Sequence, residues 1–126
     1  MSKIAITSPE LTPAGRPVFP GDQSRWFHLF QRSYRPRPRH WQGSRGGIVA
    51  ETERVFQNLS AVLKAAGKSF DDVVRVGVYL TNMSDYVVMN GMYAKHFRQP
   101  FPARTTIGVA ALPLGACVEI DLVVKA

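Results

Sequence analysis

An arginine and a glutamate late in the sequence are the side chains whose types could carry chemistry. Arg104 begins the strand-like segment PARTTIGVAALP, and Glu119 follows fifteen residues later in ACVEIDLVVKA. A guanidinium binds a carboxylate through two hydrogen bonds and keeps its charge, whereas a glutamate can position water and transfer protons. If the two strands pair as neighbours, these side chains approach each other or face a common cleft. In an arbitrary protein, an arginine and a glutamate at such positions are more often a solvent-exposed pair on the surface.

Two helices are predicted among the elements that must position these residues. In GGIVAETERVFQNLSAVLKAAGKSF, we expect Glu51 and Glu53 in the first turn and Gly67 as the stop. In MSDYVVMNGMYAKHF, Ser84 or Asp85 is the expected N-cap. Both segments carry apolar residues at helical spacing: Val55, Leu59, Val62, Leu63 and Ala66 in the first, and Tyr86, Met89, Tyr93 and Phe97 in the second.

Three strands complete the predicted order of helix, strand, helix, strand, strand. The segment DDVVRVGVYLT alternates between apolar and other residues, which is typical of a strand with one buried face. Its predicted buried face consists of Val74, Val76, Val78 and Leu80. The other two strands are the segments that carry Arg104 and Glu119. At 126 residues, the chain fits a single domain over residues 1–126.

The first third of the chain shows neither the helical nor the strand periodicity of apolar residues, and it holds nearly all of the net charge of +7. Residues 1–46 contain eight of the sixteen basic residues and two of the nine acidic ones, which is a net charge of +6. Pro36 and Pro38 break any helix and exclude a central strand, so this segment is predicted to be irregular. Its aromatic residues interleave with arginines and favour, as one alternative, an arm that stacks bases and neutralises phosphates; they are Trp26, Phe27, Phe30, Tyr34 and Trp41.

Several classes of protein and site are disfavoured by composition. The sequence has no apolar run of membrane-spanning length and no secretory signal, so we expect a cytoplasmic protein. The single cysteine, Cys117, cannot form an internal disulfide, which agrees with a reducing compartment. Because there is no Gly-rich phosphate loop and no paired set of metal ligands, we predict neither a metal nor a cofactor.

From about Gly46 to Ala126 the sequence resembles the RidA/YjgF family, also called the RutC family. The resemblance rests on GGIVAETERVFQNLSAVLKAAG, on DDVVRVGVYLTNMSDYVVMNGMYAKHF, and on PARTTIGVAALP followed by VEI. It implies a chorismate-mutase-like α/β (α+β) fold, with two helices packed on one face of a sheet, assembled as a homotrimer with clefts between subunits. The implied activity is hydrolysis of reactive 2-imino acids, and of their enamine forms, to 2-oxo acids and ammonia.

The resemblance also assigns roles to individual residues. It implies that Arg104 holds the substrate carboxylate and that Glu119 positions the attacking water and passes protons to the departing amine. Thr106 stands where the family often has cysteine, so its backbone carbonyl could help to hold water. Asn90 matches a recurrent asparagine that lines or supports the site. The implied partner is a small 2-imino acid, which we favour over nucleic acid.

Residues from about Arg16 to Arg45 resemble the family only in another reading frame. With an allowed choice of codons, Pro17 to Arg32 read one base later gives PYSQAIKAGGFIFSS, which matches the family pattern of early strands. We therefore predict an out-of-frame segment, entered by one insertion or deletion and left by a compensating one. Family residues of the early segment are then missing from the chain as written. The alternatives to an enzyme are a nucleic-acid or ribosome-associated protein and a non-catalytic small-ligand sensor that uses the same cleft.

Overall fold

A computed structural model describes residues 26–32 and 46–125 of the chain. The elements in these ranges are β1 (Trp26–Arg32), α1 (Gly47–Ala65), β2 (Val73–Leu80), α2 (Tyr86–Tyr93), β3 (Ala103–Gly108) and β4 (Val118–Lys125). Short 3-10 turns precede β2, α2 and β4. From α1 onward, this order confirms the predicted succession of helix, strand, helix, strand, strand.

The four strands form one mixed sheet in the order β1-β4-β2-β3. Strand β4 runs antiparallel to both β1 and β2, whereas β2 and β3 are parallel. Two parallel neighbours need a crossover connection, and α2 lies in it. Strand β2 therefore separates β3 from β4, and the two strands that carry Arg104 and Glu119 are not neighbours.

Strand β1 lies in the segment that was predicted to be irregular, and that prediction is wrong for Trp26–Arg32. Its backbone pairs with β4 over its whole length, from Trp26 opposite Lys125 to Arg32 opposite Glu119. Strand β1 is an edge strand, and edge pairing needs only an unpaired neighbouring backbone and residues that tolerate an extended conformation, which aromatic residues do. Pro36 and Pro38 lie outside the described residues.

Both helices pack on the same face of the sheet, and the hydrophobic core lies between this face and the two helices. Alternate residues of the two central strands are buried against the helices: Val76, Val78 and Leu80 from β2, and Val118, Ile120, Leu122 and Val124 from β4. The helices contribute Val55, Leu59, Val62, Leu63, Met89 and Tyr93. Each large apolar side chain buried in this way contributes about 1.5–3 kcal/mol. The two helices on one sheet face confirm the predicted α+β fold class.

Some predicted details are wrong at the ends of the elements. Val73 is buried and Val74 only half-buried, because a bulge between Val73 and Arg75 shifts the alternation by one residue. Helix α1 begins at Gly47, so Glu51 lies beyond the first turn. The predicted stop at Gly67 is confirmed by its φ of 70°, a left-handed conformation that glycine adopts without strain.

Glu51 is a buried carboxylate that joins α1 to the start of β4. Its side chain is 6% exposed, and the backbone N–H of Cys117 donates to its Oε2 over 2.7 Å. The contact joins residues 66 positions apart in the sequence. Because Cys117 directly precedes β4, the bond fixes the point where that strand enters the sheet.

Replacing Glu51 with alanine should lower the free energy of unfolding by about 2 kcal/mol, because it leaves the N–H of Cys117 without an acceptor. Replacing Glu51 with glutamine should cost less than about 1 kcal/mol, since an amide oxygen can accept the same bond. Urea unfolding of the two variants measures both values. Equal destabilisation would show that this hydrogen bond does not contribute.

The thiol of Cys117 should be unreactive in the folded protein. Burial and a hydrogen bond to Glu51 raise its pKa to about 12. Because the thiolate is the reactive form, we expect alkylation at about pH 8 to be at least about tenfold slower in the folded than in the denatured chain. Mass spectrometry of the alkylated protein over time measures both rates, and similar rates would contradict the expectation.

Candidate functional site

Arg104 is held against helix α2 by three side chains. It lies on β3 opposite the core residue Val76, on the sheet face that the helices cover. Its Nη1 donates to Oδ1 of Asn90 over 2.7 Å, and its Nη2 donates to the hydroxyl oxygen of Tyr86 over 3.0 Å. The guanidinium carbon lies 4.5 Å from the ring centroid of Tyr93. The structure therefore brings together two predicted site residues, Arg104 and Asn90.

The spacing of residues on α2 explains this arrangement. Tyr86, Asn90 and Tyr93 are four and three residues apart, so they project from one side of the helix. The sequence predicted both tyrosines as apolar stripe residues and did not predict their contact with the arginine. A polar Asn90 between the two tyrosines is the signal that could have indicated a site on this stripe.

Arg104 has most of its N–H donors available to a ligand. Two of the five N–H donors of a guanidinium are used by Asn90 and Tyr86, which leaves three. No carboxylate among residues 26–32 and 46–125 forms an ion pair with it. Burial raises the pKa of Tyr93, so the ring beside the guanidinium remains neutral at physiological pH. This arrangement suits an incoming carboxylate.

Thr106 lies on the same strand and the same face as Arg104. It is opposite Val78, another core residue of β2. Its hydroxyl oxygen is buried without a hydrogen-bond partner. Burying a hydroxyl without a hydrogen-bond partner costs free energy. The unpaired hydroxyl of Thr106 lies on the same face of the sheet as the side chain of Arg104.

Glu119 lies on the other face of the sheet. Its neighbours Val118 and Ile120 point into the core, and Glu119 itself is opposite Tyr79 of β2. The pKa of Tyr79 is raised, first by the negative charge of Asp121, then by burial, and then by the charge of Glu119. The side chains of Tyr79, Glu119 and Asp121 therefore lie on a common face of the sheet. Glu119 is nevertheless only 7% exposed.

Arg104 and Glu119 are therefore not brought together within one chain, because the condition for their approach, that their two strands pair as neighbours, is not met. Strand β2 lies between their strands, and the two side chains project from opposite faces. The physical reason is the parallel β2-α2-β3 crossover, which places β3 at an edge of the sheet while β4 pairs with the opposite side of β2.

A cavity of about 380 Å³ lies away from these residues. Its lining includes the ion pair of Asp71 and Arg98 but none of the four predicted site residues. In the part of the chain that the structure describes, no group of three His, Cys, Asp or Glu residues could hold a metal ion. No helix in those ranges is long and apolar enough to cross a membrane.

Sequence and structural similarity point to one family. Residues 38–126 match the family described as endoribonuclease L-PSP. The chain is 42% identical to the 2-iminobutanoate/2-iminopropanoate deaminase of Dermatophagoides farinae over 79 residues, which are 63% of this chain and 62% of that protein. It is 42% identical to the chloroplastic Reactive Intermediate Deaminase A of Arabidopsis thaliana over 76 residues, 60% of this chain and 41% of that protein.

The structural similarity extends over nearly the whole chain. The crystal structure of RidA from the Antarctic bacterium Psychrobacter sp. superposes with a TM-score of 0.82 at 31% identity, covering 98% of this chain and 99% of that one. By sequence, the matched segment spans about three fifths of the length of the first curated relatives. The chain belongs to the endoribonuclease L-PSP family, also called the RidA/YjgF or RutC family, as its sequence predicted.

Proposed function

We propose that this protein hydrolyses reactive 2-imino acids and their enamine tautomers to 2-oxo acids and ammonia. The observation that carries the proposal is Arg104, a guanidinium held by Asn90 and Tyr86 with three donors left for a carboxylate. Every 2-imino acid has a carboxylate beside the reactive C=N bond. Relatives named 2-iminobutanoate/2-iminopropanoate deaminase, at about 40% identity, support the same substrate class.

In the proposed reaction, Arg104 binds the carboxylate and Glu119 acts as general base and acid. Glu119 takes a proton from water as the water oxygen attacks the imine carbon, and it returns that proton to the nitrogen. Glu119 then takes the hydroxyl proton of the resulting carbinolamine and passes it to the amino nitrogen, so ammonia leaves as the C–N bond breaks and the C=O bond forms. The backbone carbonyl of Thr106 is proposed to help to hold the water, and no cofactor is needed for this chemistry.

The opposite placement of Arg104 and Glu119 supports a site shared between subunits. A cleft could use both residues if one subunit supplied the arginine face and the next supplied the glutamate face. We propose a homotrimer in which the arginine face of one subunit meets the glutamate face of the next. Light scattering during gel filtration should give about 42 kDa, three times the chain mass of 14.0 kDa. A mass of one chain would contradict the trimer.

The activity itself is tested with an imino acid that an amino-acid oxidase generates in place. Semicarbazide traps the imino acid before it hydrolyses spontaneously, so an active protein lowers the yield of semicarbazone and raises that of free 2-oxo acid. A protein that leaves this partition unchanged, while it remains folded, would contradict the proposal. Boiled protein and the oxidase alone are the controls.

Nucleic-acid binding is a second candidate, supported by the charge distribution. Six of the seven net positive charges fall in residues 1–46, and the family description names an endoribonuclease. Binding through phosphates should weaken steeply as salt concentration rises and should disappear when residues 25–45 are replaced. The side chains of this proposed arm lie outside the described residues.

We also propose that residues 16–45 are translated out of frame and that the protein is cytoplasmic. The family match begins at residue 38 and so leaves out residues 16–37, which supports an anomaly in that part of the segment. Peptide mass mapping of protein from its native source decides between SRWFHLFQR and the family-like PYSQAIKAG. Cell fractionation tests the location, with an organelle as the alternative because the Arabidopsis relative is named chloroplastic.

A further inference from the structure

The hydroxyl of Tyr86 is a polar group at the arginine site to which neither the sequence nor the proposed reaction gives a role. Tyr86 is the first residue of α2 and is half-buried. Its oxygen accepts a hydrogen bond from Nη2 of Arg104 over 3.0 Å. Because a phenol is both donor and acceptor, its own hydrogen stays available to a ligand.

Arg104 needs more than one contact to present its guanidinium in a fixed orientation. A long arginine side chain has many rotamers and loses that freedom when it binds an anion. The bond to Asn90 alone leaves the guanidinium free to pivot about Nη1. The bond to Tyr86 at Nη2 adds a second in-plane contact, and the ring of Tyr93 packs against the guanidinium at 4.5 Å.

We propose that Tyr86 is a positioning residue of the carboxylate site, which fixes the plane of the Arg104 guanidinium before the ligand arrives. The inference rests on the proposed function, because it assumes that Arg104 binds the substrate carboxylate. Prior fixation lowers the entropy that is lost on binding and so increases the affinity for the anion. The three remaining N–H donors then meet the carboxylate in one orientation.

The test uses the full chain and the stable monocarboxylate 2-oxobutanoate, with its uncharged amide as a second ligand. Tyr86→Phe removes only the hydroxyl oxygen and keeps the ring that packs against the core. Val87→Ala is the matched control on the same helix, because the side chain of Val87 is 77% exposed. Dissociation constants come from chemical-shift titration, and thermal unfolding confirms that each variant is folded.

We expect Tyr86→Phe to bind 2-oxobutanoate about fivefold more weakly than the wild type, since a guanidinium that is not fixed in advance loses more conformational freedom when the ligand binds. Affinity for the amide should stay unchanged, and Val87→Ala should match the wild type with both ligands. Equal affinity of Tyr86→Phe and wild type, while Arg104→Lys binds weakly, would overturn the role of Tyr86 alone. An equal loss of affinity for both ligands would overturn it as well.

Failure of the proposed function gives a different result. If Arg104→Lys binds 2-oxobutanoate as well as the wild type does, or if the wild type does not bind it, then Arg104 is not a carboxylate anchor. The inference about Tyr86 then falls together with the function on which it rests.

Discussion

Replacing Arg104 with alanine should lower kcat/KM for imino-acid hydrolysis by about 100- to 1,000-fold, because the proposed bidentate, charge-assisted contact with the substrate carboxylate is lost. The affinity for 2-oxobutanoate should fall with it. Steady-state kinetics with the trapped imino acid and titration of the 2-oxo acid measure the two effects. A loss smaller than about threefold in both would show that another group binds the carboxylate.

The arginine site also predicts how a conservative variant should behave. Arg104→Lys keeps the positive charge but cannot bond to Asn90, Tyr86 and a carboxylate at the same time in the geometry of a guanidinium. We expect kcat/KM to fall about tenfold, to a value between that of the wild type and that of Arg104→Ala. Thermal unfolding should show both variants folded, because Arg104 lies at the edge of the core and is only half-buried.

Replacing Glu119 with glutamine should lower kcat by about 100- to 10,000-fold, because an amide cannot accept the proton of the attacking water. The affinity for 2-oxobutanoate should stay within about threefold, since Arg104 is the proposed carboxylate contact. Glutamine has nearly the same shape, so the buried position of Glu119 should remain filled. Single-turnover rates and titration of the 2-oxo acid separate these two effects.

Asp121→Asn is the matched control for this variant. It makes the same chemical change two residues further along β4, on the same face of the sheet. We expect its kcat to stay near that of the wild type. If Glu119→Gln and Asp121→Asn lowered kcat equally, the loss would reflect the negative charge of this sheet face rather than a specific general base. Ligand binding without any turnover in the wild type would instead indicate a small-ligand sensor.

A mixture of the two inactive variants tests whether the site is shared between subunits. Arg104→Ala chains retain Glu119, and Glu119→Gln chains retain Arg104. After the two are unfolded and refolded together, a shared site should recover about one quarter of the wild-type activity, because random cyclic trimers complete that fraction of their interfaces. No recovery in trimers that contain both chains would place the two residues in separate or single-chain sites.

The helices and the three later strands were predictable from the sequence because each is determined by local spacing. The stripe of Val55, Leu59, Val62 and Leu63 repeats at the helical period, and the alternation in β2 and β4 repeats at the strand period. The left-handed turn at Gly67 was predictable for the same reason, since few other residues adopt it without strain. The resemblance to the family, carried by these same segments, then assigned roles to Arg104, Asn90, Thr106 and Glu119.

Only the tertiary structure decided which side chains meet. The bond between Glu51 and Cys117 spans 66 positions, and β1 forms because its backbone meets the free edge of β4. The sequence does not specify that β2 separates β3 from β4, or that the side chains of Arg104 and Glu119 point to opposite faces. Local periodicity determines which face of an element is apolar, whereas the partner of each strand depends on competition among distant segments for the same edges and the same core.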